Sequence, residues 1–220
     1  MIHPDTELSF INPQIGYGVV DTRFIPMGTI TWALDKLDRV FTQAEVDEMD
    51  GVYKEILNKY CYRDNQGDLV LCWDHSRYVN HSFNSNCITT AYNFEMAVRD
   101  IYPGEELTDD YGYLNCLEPF KCLPEPNTSR TYVLPDDPLH FYKEWDDKVS
   151  NAFTQFNRVD QPLAFLIDSA HRRKVNAVAS GLELMDSTLN CYFSQDKHKM
   201  ELKKDLLNRY SYAYVPNECR

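Results

Sequence analysis

Three short stretches of the 220-residue chain carry side chains suited to chemistry: Gly16-Tyr17-Gly18, Arg77-Tyr78-Val79-Asn80-His81 and Asp109-Asp110-Tyr111-Gly112-Tyr113. Paired glycines allow positive φ or a close approach of backbone to a ligand. Tyr111 offers a phenol whose reference pKa of ~10 suits orientation and hydrogen bonding better than general-base work at neutral pH. Taken singly, each stretch has a plain reading. A Gly-x-Gly pair marks a turn, an Asn beside a His is ordinary loop chemistry, and Asn80-His81-Ser82 also reads as a glycosylation sequon.

Together and in order they say more. RYVNHSFNSNC (Arg77 to Cys87) and GEELTDDYG (Gly104 to Gly112) resemble the two signature motifs of the SET-domain protein lysine methyltransferases, at the separation usual in that family. Gly16, Tyr17 and Gly18, followed by Val19-Val20, are similar to its opening Gly-x-Gly strand, so the likeness runs over about residues 10 to 125. The resemblance implies methyl transfer from S-adenosylmethionine to the side-chain amine of a lysine in a histone or another protein. It implies Tyr111 as the catalytic residue, with Gly16, Tyr17, Gly18, Arg77, Asn80 and His81 on the methyl donor. Arg77 reads equally well as a structural tie. A non-enzymatic SET-fold module that binds a protein partner is the alternative, because fold does not guarantee function.

Methyl transfer to lysine asks mainly for positioning, which can supply ~7–11 kcal/mol of a barrier. The acceptor must also lose a proton from a group whose free pKa is ~10.4. A nearby sulfonium and an apolar channel both favour the neutral amine. The Tyr111 hydroxyl is expected to align that amine and to accept a weak C–H···O contact from the polarised methyl group.

The chain departs from the family in two places. Many relatives close the donor site with three cysteines after the domain, which share a zinc with a fourth after the NHS motif. Here Cys122 stands in that register, but Pro124, Ser129 and Phe83 occupy the other positions. One ligand of four cannot hold a structural zinc, so no metal is expected. A helical extension is then expected to cover the donor, with Phe120 either stacking on its adenine or serving as a core aromatic. At the positions that line the family's lysine channel stand Thr89 and Asp109, with Tyr113 beside them. Asp109 either orients an ammonium or faces solvent, the second being favoured, and Trp32 is the nearest aromatic to a missing Tyr-x-Gly of the early strand.

The elements that must hold these residues are short. Leu8 to Asn12, Val19 to Phe24 and Thr29 to Trp32 read as strands. Thr42 and Glu45 have capping-box spacing ahead of one amphipathic helix over about 43–59, weakened at Gly51. A hairpin is predicted around Asn65-Gln66-Gly67-Asp68, another through Thr89 to Tyr92 and Phe94 to Arg99, and a type II turn at Pro103-Gly104. After a proline-rich loop, Asp136 or Asp137 caps a helix striped with Tyr142, Trp145, Val149, Ala152, Phe153 and Phe156. Pro162 begins another through Ala170, and Asp196 to Tyr212 a last one. The expectation is an α+β protein: a mainly β SET fold at 1–133, with one motif threaded under the other in a knot-like way, and a helical extension at 134–220.

A net charge of −12 disfavours direct nucleic-acid binding and suits a partner with a basic, lysine-bearing segment. The seven cysteines are scattered without a CxxC pair, which fits a reducing compartment, cytoplasmic or nuclear. No apolar run reaches the ~20 residues of a membrane span, and the N-terminus lacks the order of a signal peptide. Oligomeric state is left open.

Overall fold

The computed structural model describes residues 1–126 and 128–213, with side chains to residue 209. Twelve strands and five helices make up the described chain, an α+β arrangement of four small sheets. Strands β1 (Thr6–Asn12) and β2 (Gly16–Asp21) form an antiparallel hairpin, so the Gly-x-Gly pair lies in a strand rather than at its turn. Then come β3 (Ile30–Ala33), β4 (Arg39–Phe41), α1 (Gln43–Asp47), α2 (Gly51–Tyr60), β5 (Cys61–Arg63) and β6 (Leu69–Leu71). Strands β4, β6 and β5 pair as a separate three-stranded sheet, with the predicted hairpin between β5 and β6.

The expected single helix over 43–59 is two. The capping box at Thr42 and Glu45 is present, but Asp50 takes extended backbone and Gly51 starts a second helix. An extended residue cannot continue the i to i−4 ladder, so α1 stops and α2 sets out afresh.

The central sheet is built from β3, β7 (Asn80–His81), β8 (Cys87–Thr89), β9 (Phe94–Ala97) and β10 (Thr108–Asp109), in the order β3-β9-β8-β10-β7. Strand β10 lies between β7 and β8 and runs parallel to both. It is delivered by the Pro103-Gly104 turn, where Gly104 has φ +84° and Glu105 N–H bonds Tyr102 O at 2.9 Å, as a type II turn requires.

Side chains paired across a sheet share a face, which sorts this sheet into two surfaces. Ile30, Met96 and Ile88 stand in one row, and Ala33 pairs with Phe94. These residues join Tyr113, Trp145, Val149, Phe153 and Val175 in the largest core. A register shift in β3 turns Trp32 to the other face, beside Glu95 and Thr89. There Trp32, Cys87 and Ala97 pack with Val19, Ile101 and Leu107.

Strands β11 (Phe120–Lys121) and β12 (Tyr132–Val133) make a small ribbon, followed by α3 (Asp137–Phe153) with Pro138 in its first turn. The predicted stripe is buried as expected, with Phe156 placed in a following 3-10 turn. The helix expected at Pro162 to Ala170 is instead a 3-10 turn at 164–166 and then α4 (Ser169–Ala179). Asp168 caps α4, its carboxylate accepting from Ala170 N–H at 2.8 Å. Helix α5 (Lys197–Ala213) follows, and residues 214–220 of the expected extension, including Cys219, lie outside the described residues. The six described cysteines are free thiols. Among the described residues no helix is long and apolar enough to cross a membrane.

Candidate active site

Strand β2 carries Gly16, Tyr17 and Gly18 past the end of β7. The Asn80 amide donates to Tyr17 O at 3.0 Å and to Glu106 Oε1 at 2.6 Å, and so ties the opening strand to both later motifs. A Cβ on Gly18 would stand 2.2 Å from Glu106 Oε1 and 2.8 Å from the Asn80 nitrogen, so a larger residue would have to displace that hydrogen-bonded pair. Beside Gly16 the space is open. Sequence reasoning missed Glu106; its only signal was a place inside the GEEL run. Arg77 takes the tie role: its guanidinium donates to Cys72 O at 3.3 Å and Trp73 O at 3.1 Å.

Tyr111 opens a 3-10 turn (111–113) capped by Asp110, whose Oδ1 accepts from Gly112 N–H at 3.0 Å. Tyr111 N–H donates to His81 Nδ1 at 3.2 Å. That bond fixes the imidazole tautomer, with the proton on Nε2, which is buried and has no protein partner. Burial lowers the His81 pKa against the pull of Asp110 and Glu125, which keeps the ring neutral at pH 7. The Tyr111 hydroxyl donates to Val79 O at 2.7 Å. Burial, with Asp109 and Glu106 adding to it, raises the phenol's pKa, so the hydroxyl keeps its proton. The rings of His81 and Phe120 lie 5.3 and 6.2 Å from that of Tyr111, and Phe120 is 49% exposed.

Two of the residues in the zinc register, Phe83 and Cys122, come together, packed with Val133. The Arg130 guanidinium sits 4.2 Å over Phe83 and 4.1 Å over Phe141, and bridges Asp110 at 2.5 Å and Asp137 at 2.7 Å. Among the described residues no group of three His, Cys, Asp or Glu side chains could hold a metal ion. Arg130 is the cation at this junction, a role that its neighbour Ser129 did not announce.

On the face of the sheet that carries Trp32 lies a cavity of about 220 Å³, walled by Trp32, Tyr62, Thr89, Glu95 and Tyr113 among others. Tyr113 is buried, edge-on to Trp145 at 5.5 Å, with its hydroxyl 3.3 Å from Cys87 O. Asp109 does not face solvent: it is 5% exposed, and its Oδ1 has no partner. The register explains why, since Asp109 pairs with Cys87, whose side chain points into the second core. Burial pushes the Asp109 carboxyl up to about 7, against a hydrogen bond from Tyr113 and with the charge of Asp110 adding to the rise.

The family model of the SET domain matches residues 16–112, from the first glycine of β2 to the residue after Tyr111. No curated protein matches the chain. The two motifs, the opening strand and the pairing of β10 beside β7 and β8 all lie inside that span, so residues 16–112 match a SET domain, consistent with that family.

Proposed function

We propose that the protein is an S-adenosylmethionine-dependent protein lysine methyltransferase. The observation that carries this reading is the convergence of three distant segments: Tyr17 on Asn80, and His81 on Tyr111, through direct hydrogen bonds. The place of β10 between β7 and β8 supports the threaded arrangement implied by the family.

The residues present fit the donor. Open space beside Gly16, an unpartnered His81 Nε2–H and a half-exposed Phe120 ring offer a backbone edge, a hydrogen-bond donor and an aromatic face. When bound, the donor supplies an electrophilic methyl on a sulfonium. The chain supplies the rest. Tyr111, protonated and held by Val79 O, keeps its lone pairs free to accept from the amine or from polarised C–H. The net charge of −12 suits a basic protein substrate, histone or other.

One observation favours the alternative of a protein-binding module. The Asn80 amide donates to Tyr17 O and Glu106, so both its N–H groups are engaged within the protein. Calorimetry with S-adenosylmethionine separates the two readings: the enzyme binds it, and absence of binding at millimolar concentration selects the module. Activity is tested with labelled donor over histones and cell lysate. Wild-type protein is expected to label a substrate, and Tyr111→Phe to lose at least about 100-fold in rate while donor affinity changes little, as for a group acting in the transition state. Equal labelling by the variant sinks the assignment of Tyr111.

A further inference from the structure

The ribbon of β11 and β12 is tied to the two motifs at two separate points. One is Arg130, on Asp110 beside Tyr111. The other is Glu125, which no motif marks. Its carboxylate reaches back to the turn after His81, where Oε2 accepts from Ser82 Oγ–H at 2.9 Å and from Phe83 N–H at 3.1 Å, with Oε1 at 3.2 Å from the same N–H. The rest of that turn is already satisfied: Ser82 N–H donates to Asp109 O at 2.9 Å, and Ser82 Oγ accepts from Asn84 N–H at 3.1 Å. What remains is two donors, the Ser82 hydroxyl and the Phe83 amide. An ionised carboxylate only accepts, and charged hydrogen bonds of this kind are about twice as strong as neutral ones.

The turn and the ribbon together border the candidate active site. Phe83 sets its ring edge-on to His81 at 4.3 Å and packs on Cys122, which follows β11. Phe120, at the start of the ribbon, presents its half-exposed ring 6.2 Å from that of Tyr111. The ribbon has little of its own to hold it there. It pairs only Phe120 with Val133 and Lys121 with Tyr132, and of these four only Val133 is buried. A two-stranded ribbon is marginal alone, so its place depends on the side chains that tie it down.

We propose that Glu125 is a positioning residue: by clasping the Ser82-Phe83 turn it holds the ribbon, and Phe120 with it, at the His81 and Tyr111 face, and so sets the affinity for the methyl donor. The inference rests on the methyltransferase reading only in naming that ligand. Where relatives place a zinc thiolate after the NHS motif, this chain fastens the same turn with a carboxylate.

The test uses the full chain with Glu125→Ala, which removes the clasp, and Glu125→Gln, which keeps an acceptor but not the charge. Amide exchange without ligand is expected to quicken about tenfold over residues 80–84 and 117–126 in Glu125→Ala, the effect of losing a charged hydrogen bond, while α3 and the central sheet keep their protection. Calorimetry is expected to show S-adenosylmethionine bound about tenfold more weakly by Glu125→Ala, and Glu125→Gln is expected to fall between it and wild type in both measurements. The His81 ring, followed by NMR, gives a readout that lost packing alone would not move. Glu125 is among the charges that raise its pKa, so Glu125→Gln is expected to titrate lower than wild type. Unaltered exchange in Glu125→Ala, or an unmoved His81 titration in Glu125→Gln, overturns the clasp. Unaltered donor affinity beside quickened exchange overturns its positioning role. If Glu125→Ala does not fold, Glu125→Gln decides by the same measurements. Absence of donor binding in wild type sinks the methyltransferase reading and the donor role with it, while exchange and the His81 titration still decide the clasp.

Discussion

Asp21, at the end of β2, is 2% exposed, and neither carboxylate oxygen has a partner. Burial, with Glu105 and Asp5 nearby, pushes its carboxyl up to about 7. The folded protein therefore holds a proton that the unfolded chain, with the ordinary aspartate value of 3.8, has released. Between those two values the native state binds more protons, so stability falls as pH rises towards 7 and stays lower above it. Asp109 acts with the same sign, and only a difference measurement isolates Asp21. Asp21→Asn is expected to raise the melting temperature at pH 8 by about 2–4 °C, the shift that about 1 kcal/mol produces in a chain of this size, and by less at pH 5. A gain that is equal at both values would mean that the carboxylate charge is not its cause. Nothing in the sequence marked Asp21 as buried, because two-residue alternation in strands this short fixes neither face nor depth. Tyr111, Asn80 and His81 were legible because the chemistry demands those types in that order. Asp109 was misread for want of its register partner, Cys87.

Elements are held at the site by pins of different kinds. Where relatives use zinc, the ribbon of β11 and β12 is fastened to α3 and to the Tyr111 turn by Arg130, whose side chain is 16% exposed between two carboxylates that are almost fully buried. Removing one member of a buried ion cluster strands the others in low dielectric, which costs about 3–5 kcal/mol. Arg130→Ala is expected to lose about 3 kcal/mol in urea unfolding and to weaken donor binding. Arg130→Lys recovers little, since a point charge cannot bridge Asp110 and Asp137 and lie flat on Phe83 as well. Unchanged stability in Arg130→Ala would show that the clamp carries no load. The sequence disclosed the missing thiolates but not their replacement, because an arginine has no spacing rule. Helix α3 was legible from its proline and its stripe, although Asp136 at its start makes no side-chain cap; the break between α1 and α2 was not, since Val46 and Leu57 keep one apolar period across it.

At the scale of the molecule, the line drawn at residue 133 divides functions more readily than cores. The largest core joins Ile30, Ile88, Phe94 and Met96 of the central sheet to Trp145, Val149 and Phe153 of α3 and to Val175 and Val178 of α4. Asn115 adds a polar joint: its amide donates to Arg63 O at 3.0 Å and Cys191 O at 2.8 Å, and its Oδ1 accepts from Phe193 N–H at 2.9 Å. Asn190 and Cys191 from the helical part also wall the cavity that holds Glu95. A chain ending at Val133 would expose a whole sheet face of aliphatic and aromatic residues, each fully buried one worth ~1.5–3 kcal/mol, against a net stability for a domain of ~5–15 kcal/mol. Residues 1–133 are therefore expected to show no cooperative thermal transition and to bind a hydrophobic dye, while the full chain unfolds sharply. A sharp transition in the fragment would mean that the extension only caps a self-sufficient domain.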